Sequence, residues 1–252
     1  MSTCFEVYER CVQAIQQGFL VKKVSLTDKE FHFQNWVEER LQECSFHYEK
    51  LGRNRYPDFT VVEHTDGYEV KGLALPGRDK SFDTNSQVPS GYYNGRTLYY
   101  VFGRYPAGSK GLSQDESDSY PVIDLIICHG DFININRDYV HENKHVKGFG
   151  SYGDIIIRDR KMYVAPTPFH LAQGTTGVQT LIIPEDLPIP KGYKIVGRLV
   201  RKESDRLTIG YSFDLRTNKL TERTLKNPNQ GQEHQFLACR LTGQSDNPVS
   251  MV

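Results

Sequence analysis

At 252 residues, with 31 basic and 31 acidic side chains, the chain can bury a core without staples and is too evenly charged to serve as a simple polycationic coat for nucleic acid. Charged residues make up 25% of it, and no long uncharged run offers a membrane span or a secretory leader, so a soluble, cytoplasmic protein is expected. The five cysteines, Cys4, Cys11, Cys44, Cys128 and Cys239, include no CxxC pair and read as free thiols of a reducing compartment.

Phe5, Val7, Cys11, Val12 and Ile15 recur at helical spacing before Gly18, which predicts a first amphipathic helix with a glycine stop. A second helix follows, capped by Thr27 or Asp28, with Phe33, Trp36, Val37 and Leu41 as its apolar stripe. After Leu51 the period shortens. "FTVVEH" and "GYEVKGLAL" are β-branched and aromatic, and "TDG" between them is turn chemistry, so a β-hairpin is predicted. A polar loop over 76–96 leads to a strand at "TLYYVFGRY". A second loop leads to "YPVIDLIICHG", whose unbroken apolar run predicts a strand covered on both faces.

Beyond Gly148 the pattern is β-rich. "DIIIRDRKMYVAP" reads as a tight hairpin and "VQTLIIP" as a strand. "YKIVGRLVRKE" and "RLTIGYSFDL" are expected to pair with each other, before a last strand at "HQFLACRLT". "RTNKLTERTLKNPNQGQ" reads as charged turns that grip a partner or form a dimer surface. No linker marks a boundary, so residues 1–252 are taken as one domain, with 1–150 as the core and 151–252 as a β-rich extension.

The hairpin concentrates chemistry. Residues two apart in a strand share a face, so Glu69 and Lys71 project together while Val70 points into apolar packing, and Asp58 starts the partner strand. Two carboxylates held close need a cation between them, and hard oxygen ligands suit Mg2+. Such an ion can neutralise a scissile phosphate and activate water, with Lys71 orienting or deprotonating that water, so phosphodiester hydrolysis is implied. A surface hairpin carrying exposed salt bridges would show the same residues.

"PD" at Pro57 and Asp58, followed across a turn by "EVK" at Glu69 to Lys71, resembles the motif of the PD-(D/E)xK nucleases, and in particular the type II restriction endonucleases. The resemblance covers the hairpin and the helix before it. It implies an α/β, restriction-endonuclease-like fold, a mixed central sheet flanked by helices, here with a β-rich C-terminal elaboration. It further implies Mg2+-dependent, sequence-specific cleavage of double-stranded DNA to 5′-phosphate and 3′-hydroxyl ends. Asp58 and Glu69 become the metal carboxylates, and Lys71 the catalytic lysine. A homodimer acting beside a separate DNA methyltransferase belongs to the same picture. The family often adds an acid on the preceding helix; Gln34 stands where it is expected, and Glu38, one turn on, is taken for that role.

DNA contact is expected from the loop after the catalytic strand, through Arg78, Lys80, Asn85, Ser86, Gln87, Tyr92, Tyr93, Asn94 and Arg96, which supply forked amides and basic groups. A second basic region holds Arg137, His141, Lys144, His145 and Lys147; without further ligands its histidines make no zinc site. Asp124, in the apolar strand, is a structural carboxylate or a further acid near the site. A structure-specific repair or recombination nuclease, or a non-catalytic DNA-binding module, stands as the alternative.

Overall fold

Apolar side chains crowd one face of the first helix, and a computed structural model of the chain places them against a wide sheet built from both halves of the sequence. It describes residues 2–24, 30–52, 55–75, 80–85, 88–106, 119–135, 152, 156–159 and 162–252. In chain order the elements are α1 (Cys4–Gln16), β1 (Val21–Lys22), α2 (Glu30–Gln42), β2 (Tyr48–Lys50), β3 (Phe59–Val61), β4 (Asp66–Ala74), β5 (Ser81–Asn85), β6 (Tyr92–Tyr93), β7 (Arg96–Tyr105), β8 (Ser119–Tyr120) and β9 (Asp124–His129). There follow α3 (Gly130–Ile133), β10 (Ile156–Asp159), β11 (Met162–Pro166), α4 (Pro168–Leu171), β12 (Ala172–Gln173), β13 (Gln179–Pro184), β14 (Tyr193–Lys202), β15 (Arg206–Asp214), β16 (Lys219–Lys226), β17 (Glu233–Leu241) and β18 (Ser250–Met251).

The class is mixed α/β. The central sheet runs β14-β17-β13-β9-β7-β4-β3-β2, with β6 beside β7. β4 is parallel to β7 and β9 to β13, while the other neighbours are antiparallel. Strands from the C-terminal part therefore continue the sheet begun by the N-terminal part. α1 and α2 cover one face, where Phe5, Tyr8, Phe33 and Trp36 pack with Val70, Val101 and Ile127. On the other face Phe82, Tyr163 and Ala165 of the small sheet β10-β11-β5, with Phe132 of α3 and Leu171 of α4, pack on Tyr100, Phe102 and Ile126. Every residue of β9 is buried, as its unbroken apolar run requires, since both faces of the strand are covered.

The first helix ends where glycine stops it: Gly18 takes φ +76° while its amide reaches Ile15 and that of Phe19 reaches Ala14. Its start is held by a distant carboxylate. Asp66 Oδ2 accepts from the Thr3 amide at 2.7 Å and from the Thr3 hydroxyl at 2.8 Å, fixing the helix to the beginning of β4. The cap expected for α2 lies outside the described residues.

Three expectations are corrected. The hairpin turn occupies residues 62–65, and Gly67 is a strand residue paired with Thr60. A Cβ on Gly67 would come within 2.9 Å of both Leu98 and Pro57, so close packing, and not a turn, requires the glycine. β14 pairs with β17 instead of β15. β15 pairs with β16, a strand formed from residues that read as charged turns.

Candidate functional site

Two glycines let α2 lie close on the sheet. A Cβ on Gly72 would come within 2.8 Å of the Phe33 Cβ, and one on Gly103 within 2.0 Å of its ring. Phe33 thereby seats over β4 and β7, and the next helix residue, Gln34, reaches the end of β3. There Gln34 Nε2 donates to Asp58 Oδ1 at 3.1 Å, and Asp58 Oδ2 accepts from the Val70 amide at 2.8 Å. The β3–β4 ladder stops at Phe59 and Tyr68, and the Asp58 side chain supplies a further bond to β4 beyond it. Val70 separates Glu69 from Lys71, so the Asp58 carboxylate lies against the segment that carries both.

Lys71 Nζ donates to Glu69 Oε1 at 2.6 Å, with the two side chains 17% and 11% exposed. At this burial the pair is less screened than a surface bridge, and each charge depends on the other. Glu69 and Lys71 stand opposite Tyr100 and Phe102 of β7, while Val70 packs with the helix-side core. The alternation expected of the strand is therefore the one that forms: it brings Glu69 and Lys71 together on one face, while Asp58 is held to the backbone between them through the Val70 amide.

A tyrosine cluster walls the same place. The Tyr56 hydroxyl lies 2.5 Å from that of Tyr100, the register partner of Glu69, and Tyr93 packs edge-on against Tyr56 at 5.0 Å. Desolvation, then the Glu69 charge, pushes the Tyr56 phenol well above its ordinary range; desolvation, then Tyr56 and Glu69, does the same for Tyr100. Both phenols thus stay protonated, one donating to the other. Sequence reasoning missed Tyr56, although it precedes Pro57 directly, and treated Gln34 only as a departure.

Other expected residues lie elsewhere. Glu38 ion-pairs with Lys50 and accepts from Tyr48 at 3.4 Å, one helical turn from the residue that touches Asp58. Arg96 donates to the carbonyls of Val61 at 2.7 Å and His64 at 3.0 Å, tying β7 to the hairpin turn. Asn94 and Gly95, both at positive φ, form the two-residue turn between β6 and β7 that presents Tyr92, 44% exposed. Lys80 is exposed, and the Asn85 backbone pairs with Tyr163. Arg78, Ser86, Gln87, Arg137, His141, Lys144, His145 and Lys147 lie outside the described residues. Asp124, fully buried, is bound to Arg104 at 2.5 Å and is a structural carboxylate.

Among the described residues no three His, Cys, Asp or Glu side chains converge to cage a metal. Magnesium does not require such a cage, since it keeps waters and takes one or two carboxylates plus substrate phosphate oxygens. Asp58 and Glu69 have the donor chemistry for that mode. A cavity of about 490 Å3 lies elsewhere, lined in part by Asp66, Tyr99, His129, Asp131 and His234. Its polar groups hold the chain together: Asp66 binds Thr3, Asp131 accepts from the Gly91 amide at 2.8 Å, and His129 Nδ1 accepts from the Asp131 amide at 3.2 Å. No described helix is long and apolar enough to cross a membrane. No family model, curated protein or solved structure matches the chain.

Proposed function

We propose that the chain is a type II restriction endonuclease, hydrolysing double-stranded DNA at a specific sequence to 5′-phosphate and 3′-hydroxyl ends, with Mg2+ held by Asp58 and Glu69. One observation carries the reading. The Asp58 carboxylate accepts from the amide between Glu69 and Lys71, which supports a shared site for the two acids and the lysine. An ion bound there supplies charge neutralisation at the scissile phosphate and a more acidic water.

The chain's own groups have the remaining roles. Lys71, whose ammonium already lies on Glu69, orients the attacking water and stabilises negative charge developing on the phosphate. Gln34 positions Asp58 where the resemblance would put a helix acid. Tyr56 and Tyr100 form a protonated wall that limits water around Glu69. A homodimer reading a symmetric site beside a separate methyltransferase follows from the same reading.

Incubation of the protein with a long mapped DNA and Mg2+, followed by sequencing of the ends, tests it. Discrete fragments with 5′-phosphates are expected, and Asp58→Ala or Lys71→Ala should lower cleavage by at least about a hundredfold while DNA binding survives. Undiminished cleavage by both variants removes the assignment. Preference for branched or nicked substrates over plain duplex replaces it with a structure-specific nuclease.

A further inference from the structure

Among the described residues β15 and β16 pair only with each other, forming a two-stranded ribbon outside the central sheet. Its nine-residue first strand, at about 3.4 Å per residue, makes an arm of about 30 Å. Such a ribbon is marginal alone. Leu207, paired with Leu225, is buried at the base of the ribbon, and further along one side is seated where Leu220 packs on the core cluster that includes Tyr100 and Phe102, the face of the sheet that carries Glu69 and Lys71. Strand alternation turns Lys219, Thr221 and Arg223 to the opposite side.

Over 206–226 the ribbon carries five basic and two acidic side chains in a chain that is neutral overall. At its tip Leu215 is 78% exposed, and the side chain of Arg216 is 92% exposed. The tip is ordered by its own bonds. Asp214 Oδ1 accepts from the Arg216 amide at 2.8 Å, and Asn218 takes φ +53° to turn the chain. An apolar wedge next to an arginine, on a basic arm, matches the chemistry of minor-groove insertion, in which the apolar group enters between base steps and the cation meets the groove's negative potential.

We propose that the β15–β16 ribbon is a DNA-gripping arm, with its Lys219–Arg223 side along the phosphates and its Leu215–Arg216 tip in the minor groove, Leu215 wedged between base steps. The inference rests on duplex DNA being the ligand of the Asp58–Glu69 site. Binding of the full-length protein to a random-sequence duplex pool is measured by fluorescence anisotropy in Ca2+, with end-to-end energy transfer on the same duplexes reporting bending.

Arg216→Glu with Lys219→Glu should weaken binding about tenfold or more and reduce the salt slope by about two, and Leu215→Ala should retain most affinity while losing the bend. Wild-type affinity, salt slope and bend in these variants overturn the arm while leaving the nuclease reading intact. Dissociation of a dimer by Leu215→Ala, seen in sedimentation without DNA, also overturns it and makes the tip a protein contact. Failure of the wild type to bind any duplex overturns both readings. Loss of cleavage in Asp58→Ala with the arm's effects unchanged is the result expected if both hold.

Discussion

Gln34 touches Asp58 through one hydrogen bond, from a neutral amide. Replacing it by glutamate puts a second negative charge at hydrogen-bond distance, which raises the pKa of one member of the pair. On the proposed nuclease reading, the acid limb of the cleavage profile in Gln34→Glu should therefore move up by about one pH unit or more, whereas Gln34→Ala should slow cleavage without moving it. Initial nicking rates across pH at fixed Mg2+ check this, and an unmoved limb in the glutamate variant contradicts it. The thiols carry no comparable role. Burial holds Cys4 and Cys239 up at about 12 and pushes Cys11 and Cys128 higher still, so they remain unreactive thiols in the native protein.

At the scale of elements, α2 is placed by what the sheet lacks. Gly103→Ala would drive a methyl into the Phe33 ring, an overpacking that should cost about 1–3 kcal/mol and displace Gln34 from Asp58. Phe33→Ala alone should cost about 3–5 kcal/mol, and the double variant should cost less than the sum because the clash is gone. Urea denaturation of the four proteins measures the coupling. Strict additivity would mean that the helix rests elsewhere. These elements also show what a sequence makes legible. α1, the α2 stripe, β7 and β9 bury a face or both faces, and burial writes a period into the chain. β16 buries almost nothing, so its alternation carries no apolar signal and its sequence reads as turns. The pairing of β14 with β17 joins strands separated by the whole ribbon, which no local pattern encodes. At the site, the facing of Glu69 and Lys71 follows from strand period, while the bond from Gln34 depends on glycines of the neighbouring strands β4 and β7, far apart in sequence.

The whole molecule is rich in buried phenols. Tyr8, Tyr68, Tyr99 and Tyr100 are nearly or fully inaccessible, and desolvation raises each above its ordinary value of 10.0. The folded form then holds protons that the unfolded form releases. The stability these groups contribute is complete below pH 10 and is lost as pH rises through that range, at about 1.4 kcal/mol per pH unit for each group. Melting temperature should fall steeply above pH 10, and tyrosinate absorbance of these residues should rise with unfolding and not before it. Ionisation of all tyrosines in a still-folded protein would contradict the packing described.

One feature of the sheet bears on how the protein is made. β13 lies parallel against β9, yet its residues leave the ribosome some fifty positions after those of β9, and β17 and β14 must then close the far side. Until they arrive, β9 is an apolar edge with open amides and carbonyls, the kind of edge that recruits strands from other chains. The hairpin holding Asp58 and Glu69 is synthesised early, but the sheet beneath it is finished by nearly the last strand. Synthesis slow enough to expose that edge for long invites aggregation, and completion of the chain is what makes the acid pair's support permanent.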